Sequence, residues 1–181
     1  AAAGTSITGV LAQPDMHFRI GAMAIASQTT ILMQMVDEGL VKLEDTIDKW
    51  LPTYPQADEI TLRMLADSTS GYADYESDPG FVKAFENDVF YAWSAQELLK
   101  IGFARGMVFK PGTGFQYAHT NFIVLAQALA KAAGTSYEAL LQRRIINKLG
   151  LKQTRIWTTA ELPAPPLHGF TKEREIGRAH V

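Results

Sequence analysis

From Ala22 onward the apolar positions recur at helical spacing. Met23, Ile31, Met35 and Val36 share one side, and Ala24, Ala26 and Leu32 fill the closer contacts. The pattern predicts a helix from Ala22 to Glu38, with Gly39 in the left-handed stop position. Its first half is almost wholly apolar, which predicts burial of that half. Just before it, His17-Phe18-Arg19-Ile20 alternates like a short strand. Thr46 to Leu51 forms an amphipathic turn stopped by Pro52, and Thr61 caps a short helix through Leu65. Ser70-Gly71-Tyr72 reads as a turn, and Pro79 to Phe85 as a weak helix. Ser94-Ala95-Gln96-Glu97 is a capping box that opens a helix to about Ile101.

Pro111-Gly112-Thr113-Gly114 is a turn. A helix follows from Asn121 to Ala133, with Phe122, Leu125, Leu129 and Ala133 on its apolar side and Gly134 at its end. Thr135-Ser136-Tyr137-Glu138 reads as a second capping box, for a helix running to about Leu149 with Gly150 as its stop. Thr154 to Trp157 reads as a strand, and Leu162 to Pro166 as an extended, exposed stretch. No internal repeat is visible. The pattern predicts a mainly α chain with two or three short strands.

Composition narrows the function classes. Hydrophobic residues make up 47% and charged residues 20%, the balance of an ordinary globular chain. A net charge of -2, with no basic run interleaved with aromatics, argues against a nucleic-acid partner. No apolar run is long enough for a membrane span. The chain has no cysteine, which excludes disulfides, a thiol nucleophile and cysteine zinc sites. The histidines stand at His17, His119, His168 and His180, with none paired at i, i+4, so no metal or other cofactor is expected. Asp67, Asp74, Glu76 and Asp78 crowd around Tyr72 and Tyr75. They lack EF-hand spacing and read as a solvated loop.

Several segments then recur in a telling order. Phe18-Arg19-Ile20-Gly21 leads into the first helix, which ends Val36-Asp37-Glu38-Gly39. Leu43 to Ile47, Trp50-Leu51-Pro52, Ile60 to Leu65 and Thr69 to Tyr72 follow. Pro111-Gly112-Thr113-Gly114-Phe115-Gln116-Tyr117 precedes a helix, and Leu149 to Thr154 closes the series. From about Phe18 to Phe170 this order resembles the serine β-lactamase, D,D-peptidase and esterase superfamily, in its class C-like branch.

The resemblance implies a serine hydrolase chemistry and, at the same time, its loss. The family's Ser-x-x-Lys falls on Ala22-Met23-Ala24-Ile25, with no gap between this site and Asp37-Glu38-Gly39. The family serine attacks a carbonyl, and the lysine keeps its oxygen nucleophilic. Alanine supplies no nucleophile and isoleucine no exchangeable proton. Ser27 lies off the Ala22 face and has no lysine three residues on. Ser70 sits in a turn that the family also carries as structure.

The family's Tyr-x-Asn falls on Tyr117-Ala118-His119, where the tyrosine would move a proton and His119 would replace asparagine as donor or acceptor. The plainer reading of the same residues is that Tyr117 packs beside the following helix and His119 bonds locally. The third motif, Lys-Thr-Gly or His-x-Gly, has no counterpart; His168-Gly169-Phe170 reads as a glycine-aromatic pair outside it.

On this resemblance the expected fold is the helical subdomain of the β-lactamase/transpeptidase-like fold, with most of the central sheet absent. Residues 1–17 form an N-terminal extension, 18–157 the helical subdomain and 158–181 a proline-containing tail. The family implies a periplasmic or secreted location. Three functions stay open. The first is a catalytically inactive relative, retained for binding or scaffolding. The second is a hydrolase with an unconventional site, or one completed by a partner. The third is an interaction module using an exposed apolar helix face. The expected partners are a second copy, meeting through helix 22–38, and a small acyl or peptide ligand.

Overall fold

The computed structural model describes residues 1–6 and 9–167. A short 3-10 turn, Gly21–Met23, runs into α1 (Ala24–Asp37), which closes on Gly39 at φ +71° as the sequence predicts. α2 (Leu62–Ala66) starts at Thr61, whose hydroxyl accepts from the Met64 N–H at 3.2 Å. α3 (Pro79–Asn87) is capped by Asp78, α4 (Ala95–Ala104) by the Ser94/Glu97 box, and α5 (His119–Ala132) is the central helix. α6 (Tyr137–Leu141) continues through a π-helical segment, Gln142–Ile146, and a last turn, α7 (Asn147–Leu149), which stops at Gly150 with φ +64°.

α5 packs against α1, α2, α4 and α6, and the core forms around it. Ile31, Leu32 and Met35 of α1 meet Val124, Leu125, Ala128 and Leu129 of α5 in one buried cluster, closed by Ile47, Ile60, Leu65, Leu99 and Leu140. The described residues contain only isolated bridges, such as Thr46 with Thr61 and Tyr72 with Met107, and no sheet. The architecture is the helical portion of the β-lactamase/transpeptidase-like fold. No helix among the described residues is long and apolar enough to cross a membrane.

Four local expectations change. The first half of the α1 segment is not buried: Ala22, Met23, Ala24 and Ala26 are exposed and Ile25 is half-buried. Apolar periodicity reports a face suited to burial, and among the described residues the first buried side chain of α1 is Gln28. The strand expected at His17 to Ile20 shrinks to one bridge, His17 to Pro166, and Thr154 to Trp157 pairs with nothing in a ladder. That bridge also draws Pro166 of the proline-containing stretch onto the N-terminal segment. The cap of α6 is Ser136, accepting from the Ala139 N–H at 3.2 Å. The third residue is therefore alanine, and the capping box expected from Thr135 and Glu138 does not form.

Candidate functional site

Two crossing loops build the site. The chain from Met107 to Gln116 lies along residues 68–72: Val108 donates to the Gly71 carbonyl at 2.8 Å, Gly112 to Thr69 at 2.9 Å and Gln116 to Ser68 at 3.0 Å. This close approach needs Gly71. Its φ is +87°, and a Cβ there would stand 2.2 Å from the Phe109 carbonyl oxygen. The crossing delivers Tyr117 and His119 to the segment that carries Asp74 and Glu76.

The start of α5 is fixed from outside its own sequence. Ala118 has no side chain to cap the helix, and the Asp74 carboxylate does so instead, accepting from the His119 N–H at 3.2 Å. A carboxylate at a helix N-terminus is favoured by the helix dipole. One residue on, the buried Thr120 hydroxyl donates to the Ala73 carbonyl at 2.7 Å. Gly102 of α4 packs so closely on Thr120 that a Cβ there would meet Oγ1 at 2.7 Å.

These constraints hold a polar chain. The Asp74 Oδ2 lies 3.1 Å from His119 Nδ1, the Glu76 carboxylate 3.4 Å from the same nitrogen, and His119 Nε2 lies 3.4 Å from the Tyr117 hydroxyl. The Tyr117 ring meets the His119 ring edge-on at 4.9 Å, and Phe122 supports it at 5.7 Å. The imidazole is held above its ordinary value, chiefly by the Asp74 hydrogen bond, against burial and with help from both carboxylate charges. Burial pushes Asp74 up, but the His119 bond and backbone N–H groups outweigh it, and the carboxyl sits below its ordinary value. Burial raises Glu76, with His119 opposing and Asp74 adding to the rise. The Tyr117 phenol is also raised, by burial and then by the two carboxylate charges.

The chemistry of this arrangement follows. The His119 imidazole is oriented by Asp74, an arrangement able to carry a proton. Tyr117 is a donor, because its surroundings disfavour the phenolate that a base would require. The side chains at Ala22 and Ile25, in the first turns of the α1 segment, bring neither a nucleophile nor an amine. α1 and α5 are tied further along, where the Gln28 side chain donates to the Phe122 carbonyl at 2.6 Å. Ser70 is fully buried, donating to Asn121 at 2.5 Å and accepting from the Tyr72 N–H, so it cannot meet a substrate. Among the described residues no group of three His, Asp or Glu side chains is placed to hold a metal ion.

The structure thus brings Tyr117 and His119 together and adds Asp74 and Glu76, which the sequence reading left in a solvated loop. That reading is corrected: Asp74 is drawn inward by His119 and its side chain is 14% exposed. The signal was the acidic cluster itself, one candidate partner for a histidine elsewhere in the chain. His168 lies outside the described residues.

Comparison with known proteins places this geometry. A family model described as Beta-lactamase matches residues 4–180. The D-alanyl-D-alanine-carboxypeptidase/endopeptidase AmpH of Escherichia coli (strain K12) is 31% identical over 148 residues, covering 78% of this chain and 37% of that protein. A D-stereospecific amidohydrolase from Streptomyces sp. superposes with a TM-score of 0.79 at 28% identity, covering 87% of this chain and 50% of that one. The D-amino acid amidase of Ochrobactrum anthropi SV3 superposes with a TM-score of 0.77 at 27% identity, covering 93% and 48%. The chain spans less than two-fifths of the length of AmpH and about half of the two solved chains.

Proposed function

The chain belongs to the Beta-lactamase family, and on that premise we propose that it is a catalytically silent member that keeps a ligand site at Tyr117 and His119. The observation that carries the proposal is the pair Ala22 and Ile25 in the positions of the attacking serine and its lysine. Loss of a serine nucleophile removes several orders of magnitude of rate. The raised Tyr117 pKa works in the same direction, since burial and then the Asp74 and Glu76 charges keep the phenol protonated.

The ligand is a small acyl or peptide compound bearing an amine. Asp74 and Glu76 supply negative charge beside His119, and Tyr117 supplies a hydroxyl. Relatives acting on D-amino acid amides and D-alanyl peptides make phenylalanine amide, in both enantiomers, a suitable probe. The test combines three measurements: turnover of a chromogenic ester and a chromogenic β-lactam, mass spectrometry after penicillin treatment, and amide NMR titration with the two probes. No turnover, no adduct and shifts around His119 that vanish in His119→Ala are expected. A covalent penicillin adduct would overturn the silent reading.

A second reading has one observation in its favour. Tyr117, His119 and Asp74 stand in the order hydroxyl donor, base and orienter, with contacts of 3.4 Å and 3.1 Å. In that reading the chain is a hydrolase with an unconventional site, and ester turnover disappears in Tyr117→Phe.

Self-association belongs with these proposals. Met23, in the turn before α1, is 64% exposed and Met33, on α1, 46%, apolar surface that a second copy would cover. Ile31 is fully buried, so it takes no part in such a face. Sedimentation that shows association at micromolar concentration, lost in Met23→Ser, is the expected result; a clean monomer contradicts it.

A further inference from the structure

We propose that the groove beside the π-helical segment is a docking site for an acidic peptide segment that also carries apolar side chains. Three observations meet there. The first is charge. Between Glu138 and Glu161 the chain carries Arg143, Arg144, Lys148, Lys152 and Arg155 and no carboxylate, in a protein of net charge -2. Arg144 is neutralised by a two-pronged pair with Glu38, at 2.7 Å on each prong. Lys148, Lys152 and Arg155 are exposed.

The second observation is shape. An open groove of about 480 Å³ lies at the end of this helix, with Lys152 and Arg155 in its wall and, among the described residues, no acidic residue lining it. Asn147 and Thr154 also line it. Gln142 donates to the Asn147 side-chain oxygen at 2.6 Å, which leaves the Asn147 NH2 as the donor half of that amide. Arg155 is set by its guanidinium lying 3.9 Å over the Trp157 ring, so its planar fork is pre-positioned for a carboxylate.

The third observation is the backbone. Gln142–Ile146 is π-helical, a rare winding that is frequent at functional positions. Gln142 and Ile146, its two ends, both line the groove.

The apolar wall decides the ligand class. Ile146 and Leu151 line the groove, and Leu149 beside it is 67% exposed. A simple phosphate ion uses none of this surface. A peptide with carboxylates for Lys152 and Arg155 and an apolar side chain for Leu151 uses both. Charge steers such a peptide to the groove, and the apolar contact holds it.

The experiment uses the full chain and fluorescence anisotropy. The probe is a labelled peptide alternating Glu with Leu and Phe. An all-Glu peptide of the same length and inorganic phosphate are competitors. Saturable binding at low salt is expected, weakening at least about tenfold in Lys152→Glu/Arg155→Glu and about threefold in Leu151→Ser. Arg155→Lys keeps the charge and loses the planar fork, so an intermediate loss is expected there. Circular dichroism confirms that each variant is folded. Equal affinity for the all-Glu peptide would overturn the proposal in favour of unspecific attraction. Displacement by millimolar phosphate alone would assign the site to a small anion instead. Absence of binding at low salt, or binding untouched by both charge variants, would also overturn it.

Discussion

The two fourteen-residue helices α1 and α5 are both rich in apolar residues, yet they are used differently. α5 is buried from its first turn: Thr120, Asn121, Val124, Leu125, Ala128 and Leu129 are all inside. α1 buries only Gln28, Ile31, Leu32 and Met35, and its first turn stands in solvent. Composition does not separate them. The difference is what lies opposite. α5 has helices on several sides, whereas among the described residues α1 has no buried side chain before Gln28. The positions where the resemblance places the family's serine and lysine therefore lie on an exposed turn, while Tyr117 and His119 lead into a helix anchored in the core.

The largest effect that would test this contrast is a cavity. Leu125→Ala on α5 is expected to cost about 2–5 kcal/mol of stability in urea denaturation. Met23→Ser, in the turn before α1 and measured at a concentration where the chain is monomeric, is expected to stay within about 0.5 kcal/mol. Comparable losses at the two positions would mean that the start of α1 is covered in solution, and the contrast would fail. The next effect lies where the helices join. Gln28→Met removes the side-chain donor to the Phe122 carbonyl while keeping length, and a loss of about 1 kcal/mol is expected. No loss would mean that apolar contacts alone tie α1 to α5.

Much of this was legible in the residues. Gly39, Gly134 and Gly150 mark helix ends because only a left-handed residue closes the last turn, and each has positive φ. Thr61 and the Ser94/Glu97 box mark starts for the same local reason. The start of α5 was not legible. Its cap is Asp74, 45 residues upstream of His119, and no local pattern encodes a partner at that distance. Without that cap the pattern starts two residues late, at Asn121. The same separation hid the site. Tyr117 and His119 were readable as a motif, but their acidic neighbours looked like a solvated loop until the crossing at Gly71 brought them together. The exposed start of α1 was misread for the opposite reason. Apolar spacing states which face would be buried, and it says nothing about whether a cover is present.

Titration sharpens the α5 side of the contrast. Because the folded pKa of His119 is raised, the pair contributes its full stability below about 6.5, the ordinary histidine value. That contribution is lost as pH rises through the higher folded value. The lowered Asp74 gives the other limit: its contribution is present above about 3.9 and lost as pH falls through its folded value. Urea midpoints should therefore fall between pH 6 and pH 9 by an amount that His119→Gln abolishes. The His119 side chain is 29% exposed, so an effect of about 1 kcal/mol or less is expected. A fall of the same size in the variant would assign the pH dependence to other groups.

The smallest expected effect lies at the first turn of the α1 segment. Ala22 is exposed, and the turn that holds it has no side-chain cap. Ala22→Ser adds only a hydroxyl in water, so stability should change by about 0.5 kcal/mol or less. Ester turnover should remain at background, because Ile25 leaves the serine without a lysine to keep its oxygen nucleophilic. The informative variant is Ala22→Ser/Ile25→Lys, since both positions are at least partly exposed and accept polar groups at little structural cost. If it too is inert, the Tyr117 phenol kept protonated by burial and by the Asp74 and Glu76 charges is the next feature to test, with Asp74→Asn in that background. If it turns over ester or acquires a penicillin adduct, the α5 side has kept a working proton carrier. The two helices would then differ by two side chains and not by the fate of the whole site.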